Sequence, residues 1–196
     1  MPLDKSFVDM ERVKAIISSI FHLSPRDIER VTEGVSTHVY RIIFEHETFY
    51  LRVLPEEGVS FAPEVTVHER LRQMHIKVPE IIYFEAHNEL FQRSIMVTTE
   101  IRGLPISQSR SLPEETIAEI LREAGRDLAV INSVPVEGFG WIRRDLPKTS
   151  ELYAQWPTYR AFVSEFWEAD LAYLSESVIS RLEAAQLDRV LVQYSS

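Results

Sequence analysis

The chain of 196 residues has no cysteine. That absence excludes disulfides, thiol catalysis and Cys-ligated zinc or iron–sulfur centres. It accords with a cytoplasmic setting, which is the expected location. No apolar run reaches the roughly 18–20 residues that a membrane span needs, and no secretory leader pattern opens the sequence. Positive charge is also scarce: 21 Lys and Arg stand against 30 Asp and Glu, a net charge of −9. Such a balance argues against nucleic acid or an anionic membrane as the main partner. Several motifs are missing as well. Without G-x-x-x-x-G-K-S/T the chain is no P-loop NTPase, without H-E-x-x-H it is no zincin, and without G-x-S-x-G a hydrolase elbow is excluded. All six histidines fall between His22 and His87. His68 and His75 share a helix face but are too far apart to hold one ion.

What is present is an ordinary globular composition, 45% hydrophobic and 26% charged. The length suits one core, or a small lobe with part of another. From Ser6 to Phe21, apolar residues at Phe7, Met10, Val13, Ile16, Ile17 and Ile20 predict an amphipathic helix. Alternation predicts strands over Ile28–Thr32, Val39–Phe44 and Phe49–Leu54. Pro63 suits the first turn of a helix reaching His75. Strands follow at Ile81–Glu85 and Arg93–Ile101, joined by a turn around His87-Asn88. After Gly103 the texture turns helical. One apolar face runs from Ile117 to Ile131, behind the Pro113-Glu114-Glu115 start. Val136–Lys148 reads as a loop. Pro157–Leu187 reads as helix in two pieces meeting near Ser175.

Some of these residues suit a nucleotide. A triphosphate needs close backbone approach and a fixed cation, and adenine needs a strand edge. Gly34 supplies close approach in the turn of Glu33–Arg41, and Ser36 and Thr37 supply hydroxyls and N–H groups. An ordinary hairpin turn explains the same three residues. Arg52, mid-strand between Leu51 and Val53, suits the α/β-phosphates, with Glu64 on the next helix as its partner. An exposed strand cation and an acid in a helix first turn are the plainer readings. Thr98, Thr99 and Ile101 present a strand edge to a base, or simply end a core strand.

Taken in order, seven pieces resemble the aminoglycoside phosphotransferase and choline kinase-like family of small-molecule kinases. They are Glu33–Arg41, Phe49–Val53, Glu64 with Leu71, Val78–Ile81, Met96–Gly103, Leu128–Pro135 and Gly138-Phe139-Gly140. The resemblance covers about Ile28–Gly140 and, more loosely, the helices beyond. It implies an α+β, protein-kinase-like fold. A five-stranded antiparallel N-lobe with one inserted helix would span residues 1–103, with the leading helix over 6–21. Part of a helical C-lobe would span 104–196. It also implies ATP, with Mg, held between the lobes and a small-molecule hydroxyl as phosphate acceptor. Arg52 takes the place of the family's phosphate-holding basic residue, usually Lys. Asn132 stands where the family often has His and carries no catalytic expectation.

The family's chemistry lies in an H-G-D-x-x-x-x-N segment and a later metal-binding Asp. Arg189–Val192 resembles the strand leading into it, after which Gln193, Tyr194 and Ser195 fall where His, Gly and Asp would stand. No catalytic residue and no metal ligand is therefore nominated. Asp145, Glu165, Glu168 and Asp170 read as solvated acids. The expectation is a chain truncated before its catalytic loop and inactive alone. The alternative is a non-catalytic nucleotide-binding or protein-interaction module. An incomplete C-lobe would leave Phe162, Phe166, Leu171 and Leu174 uncovered, which suits a homodimer.

Overall fold

The computed structural model describes residues 9–32, 36–104, 112–149 and 151–194. Its first helix, α1 (Met10–Phe21), starts where the Asp9 carboxylate accepts the N–H of Glu11 at 3.0 Å, and it stops at His22 in the left-handed region (φ 54°). Val13, Ile16 and Ile17, spaced to share one face, are its buried residues.

Five strands follow: β1 (Asp27–Val31), β2 (His38–Ile43), β3 (Thr48–Val53), β4 (Ile81–Asn88) and β5 (Arg93–Thr99). They form one antiparallel sheet in the order β1-β2-β3-β5-β4. The helix α2 (Ala62–Gln73) is inserted after β3, as the sequence predicts. The alternation of β2 and β3 sends Tyr40, Ile42, Leu51 and Val53 to the face that meets α1, where Ile95 and Val97 join them. Each such side chain, fully buried, contributes about 1.5–3 kcal/mol of transfer free energy. A smaller cluster of Leu54, Phe61, Val65 and Met96 seats α2 on the opposite face. The β4–β5 turn lies later than expected, after Asn88. The Asn88 side-chain oxygen accepts the N–H groups of Leu90 (3.1 Å) and Phe91 (3.2 Å), so an Asx turn sets the corner.

One stretch far along the chain returns to this sheet. Arg144 C=O accepts the Ser60 N–H at 2.8 Å, Thr149 C=O accepts the Thr66 hydroxyl at 3.0 Å, and Lys148 pairs with Glu69 at 2.6 Å. Residues 144–149 thus form a strap along α2. Accordingly the chain divides into two compact units, Met1–Val134 with Arg144–Ser150, and Pro135–Arg143 with Glu151–Ser196. This division differs from a single break near residue 103, because α3 (Glu114–Ile131) and the strap group with the sheet.

The second unit contains the short strands β6 (Phe139–Ile142), inside the stretch expected to be loop, and β7 (Ala154–Trp156), where no element is expected from the sequence, and the helices α4 (Tyr159–Ser177) and α5 (Arg181–Tyr194). Gly140 (φ +88°) lets β6 lie against the Trp156 ring, where any Cβ would collide. Thr158 caps α4 by accepting the Ala161 N–H at 3.1 Å. The break between helices is at residues 178–180, later than Ser175.

The strand expected at Arg189–Val192 is a helix, which corrects that reading. Ser180 and Glu183 form a capping box, with the Ser180 N–H on the Glu183 carboxylate at 2.8 Å and the Glu183 N–H on the Ser180 hydroxyl at 3.3 Å. Leu182, Ala184, Ala185 and Leu187 then favour helix. The local β-propensity of Val190–Val192 is overridden, because a β-run without a strand to pair with gains nothing from extension.

Candidate functional site

Tyr50 and Arg52 alternate with the core residues of β3 and so project from the sheet face opposite α1. Register places Arg52 opposite Val39 on β2 and Met96 on β5, and Tyr50 opposite Thr98. A cleft of about 400 Å³ opens over this row. Of the eight residues nominated from the sequence, Thr37, Arg52, Thr98, Thr99 and Ile101 line it. Ser36 and Glu64 are not among its lining residues. Gly34 lies outside the described residues.

Arg52 is the cation of the cleft. Its guanidinium carbon sits 5.0 Å from the centre of the Phe61 ring, the residue that precedes α2. Among the described residues it has no ion pair. Burial pushes its pKa down, with the nearby Glu64 carboxylate acting against that shift and Arg144 reinforcing it. A guanidinium titrates so high that it keeps its charge regardless.

Glu64 stands in the first turn of α2, and its Oε1 is paired with Arg144 of the strap. Its other oxygen, Oε2, is buried with no hydrogen-bond partner. The structure therefore joins Glu64 directly to Arg144, with Arg52 close enough to feel both charges.

At the strand edge, the Thr99 N–H donates to the Glu80 carbonyl at 2.9 Å, while the Thr99 hydroxyl accepts the Glu80 N–H at 2.9 Å. Those two groups belong to the β4 side. The Glu100 N–H continues the ladder to Thr48 at 3.2 Å. The Ile101 N–H makes no hydrogen bond to another described residue. Thr98 is buried at the back of the cleft.

Sequence reasoning missed four features of the site. Tyr50 donates to Glu100 at 3.1 Å, and Arg41 bridges Glu100 (3.2 Å) and Glu29 (3.4 Å), so a charged network walls one side. Burial first, then the Glu100 carboxylate, pushes the Tyr50 pKa up and keeps the phenol protonated. His68, one helical turn beyond Glu64, also lines the cleft. Its Nδ1 donates to the Pro79 carbonyl at 3.0 Å, leaving Nε2 as the other ring nitrogen. The period-2 pattern of β3 and the i, i+4 spacing on α2 held those signals. Arg144, in a loop 80 residues from Glu64, gave none.

No group of three or more His, Asp or Glu that could hold a metal ion occurs among the described residues. Nor is any described helix long and apolar enough to cross a membrane.

Known proteins share this fold. The family model described as "Phosphotransferase enzyme family" matches residues 27–192. Among solved structures, the aminoglycoside phosphotransferase APH(4)-Ia aligns with a TM-score of 0.59 at 17% identity, covering 93% of this chain and 58% of that one. A thermostable mutant of the same enzyme, in ternary complex with ADP and hygromycin B, aligns with a TM-score of 0.59 and 17% identity over 91% of this chain and 57% of that one. Another such mutant, bound to AMP-PNP and hygromycin B, gives the same values. This chain thus spans a little over half the length of those relatives. No curated protein sequence matches it.

Proposed function

The chain belongs to the phosphotransferase enzyme family, and from that premise we propose that its cleft binds ATP for phosphoryl transfer to the hydroxyl of a small molecule. The carrying observation is the convergence of Thr37, Arg52, Thr98, Thr99 and Ile101, drawn from separate stretches of sequence, on one cleft around a cation that has no ion pair among the described residues. The donor set fits the ligand. Arg52 offers a rigid fork of N–H groups to phosphate oxygens. The Thr37 hydroxyl stands near the opposite end of the row, and the Ile101 N–H faces the base. Solved relatives in this fold carry ADP or AMP-PNP together with hygromycin B, which supports a nucleotide and a small-molecule acceptor here.

In this reading the chain's own residues bind and orient. Arg52 offsets charge on the phosphates, and buried Thr98 closes the back of the base pocket. The Glu100–Tyr50–Arg41 network fixes the wall beside it. When bound, Mg²⁺ supplies charge neutralisation at the phosphates, but the described residues hold no acidic cluster for it. Positioning an acceptor hydroxyl likewise calls for acids other than those of the cleft. The described residues then supply nucleotide binding within that reaction. A homodimer accords with the exposure of Phe162 and Phe166 on α4. Light scattering across a concentration series reads it, and a monomer throughout removes it.

The test of nucleotide binding is thermal denaturation with ADP or AMP-PNP. A ligand at a hundred times its dissociation constant stabilises the fold by about 2.7 kcal/mol. An unchanged transition at millimolar nucleotide overturns the proposal.

A further inference from the structure

We infer that His68 reads position 6 of a purine base, and that the cleft thereby favours a base with an amino group there, such as adenine, over one with a carbonyl. The inference rests on the nucleotide reading of the cleft and names the class of base it takes. His68 lies on α2 four residues beyond Glu64, on the same helix face. Its ring lines the cleft together with Pro79, Thr98, Thr99 and Ile101. A chain of hydrogen bonds ties it to the base end. Nδ1 meets the Pro79 carbonyl at 3.0 Å, and the next residue, Glu80, clasps Thr99 through two hydrogen bonds of 2.9 Å.

That first bond decides what the ring can offer. A carbonyl oxygen only accepts, so Nδ1 carries a proton. In the neutral imidazole the other nitrogen, Nε2, is then a bare acceptor. Nε2 makes no hydrogen bond to a described residue. While the cleft is open, solvent satisfies it. A base that covers the half-buried ring removes that solvent, and an acceptor left unmatched costs more than an ordinary hydrogen bond returns. The 6-amino group of adenine donates to such a nitrogen. The 6-oxo group of guanine or hypoxanthine brings a second acceptor, and two lone pairs then face each other. The ring also borders a groove between α2 and β4, beside Glu69 and Arg72. It is a wall shared by two cavities, and the experiment reads which of them Nε2 serves.

The experiment compares dissociation constants for ADP and inosine diphosphate, which differ only in the 6-substituent and the N1 proton that goes with it. They are measured on the native chain, on His68→Asn and on His68→Gln. Asn keeps a donor in the place of Nδ1 and has no atom in the place of Nε2, and Gln does the reverse. The native chain is expected to prefer ADP. His68→Asn should lower that preference about fivefold, the worth of one hydrogen bond between neutral groups, and His68→Gln should keep more of it. A ring that only holds Pro79 gives the opposite order, with His68→Asn native-like and His68→Gln impaired, and that order overturns the proposal. So does a native chain that binds both nucleotides equally. Should the variants lose their melting transitions, nuclear magnetic resonance of the nitrogen-labelled native chain carries the test, with His68 assigned through its own side-chain correlations in mildly alkaline buffer. The unprotonated Nε2 resonance should move upfield with ADP and stay in place with inosine diphosphate. A proton found on Nε2 of the neutral ring, or an Nε2 resonance that ADP leaves unmoved, overturns the proposal. A native chain that binds ADP without moving Nε2 costs His68 its role alone, whereas one that binds neither nucleotide brings down the nucleotide reading and the role of His68 with it.

Discussion

The guanidinium of Arg52 lies over the ring of Phe61, 5.0 Å from its centre. A cation on an aromatic face gains about 0.5–2 kcal/mol, depending on how far water is excluded. The contact also fixes direction. Phe61 is fully buried, and its N–H donates to the Ser94 hydroxyl at 3.0 Å, so the platform beneath the cation is immobile. Arg52 is thereby ordered before any ligand arrives, which lowers the entropy cost of binding.

Replacing Arg52 by Ala is expected to weaken ADP binding by about ten- to a hundredfold. That range follows from the 1.5–3 kcal/mol typical of hydrogen bonds to charged groups. Calorimetric titration measures it, and circular dichroism should show that the variant keeps its cooperative melt. An unchanged affinity removes Arg52 from the site.

Ser94→Ala should destabilise the sheet unit by about 1–3 kcal/mol in urea unfolding, the cost of leaving a buried donor unsatisfied. The Ser94 hydroxyl donates to the Glu85 carbonyl at 2.9 Å and accepts the Phe61 N–H, so one small side chain ties β4, β5 and the start of α2 together. A variant as stable as native would show that water takes over both bonds.

Burial pushes the pKa of His38 below its ordinary value of 6.5, and Arg30 adds to the shift while Glu56 opposes it. The unfolded chain therefore takes up this proton at a higher pH than the folded chain. The stability tied to His38 is intact above pH 6.5 and is lost as pH falls through the lowered folded value. His38→Gln should flatten the acid side of the stability–pH curve, measured by urea midpoints between pH 4.5 and 7.5, on the order of the window set by the ordinary His pKa. An identical slope in the variant contradicts the assignment.

Gly140→Ala strains the second unit twice. It places a Cβ at φ +88° and drives it into the Trp156 indole. Left-handed backbone costs a side-chain-bearing residue about 1–2 kcal/mol, and overpacking adds about 1–3 kcal/mol. Tryptophan fluorescence of the unfolding transition should show the loss. A variant that melts with the native protein would mean the β6–β7 pair shifts freely.

Much of the fold was legible because its signals are local. The alternation of His38–Ile43 and Thr48–Val53, Pro63 at the head of α2, and Pro113-Glu114-Glu115 at the start of α3 each follow from backbone sterics and capping. Thr37, Arg52, Thr98, Thr99 and Ile101 were nominated from what a triphosphate and a base require, and the sheet register brings them to one cleft. Two things were not legible. Val190–Val192 carries a β-like composition, but the Ser180–Glu183 cap and the leucine- and alanine-rich stretch behind it commit the segment to helix. The sequence pattern pairs Glu64 with Arg52, while the structure supplies Arg144 from a loop. Loops carry no period, so no spacing rule reaches across them.

The strap has a consequence for dissecting this protein. A fragment ended after β5, where the sheet appears finished, would leave Glu64, Glu69 and the Thr66 hydroxyl facing water in place of Arg144, Lys148 and Thr149. The small lobe is not a cassette that can be cut out or grafted at its last strand. Recombination between relatives at that point would have to carry the downstream clasp along with the sheet, or rebuild the outer flank of α2 from another source.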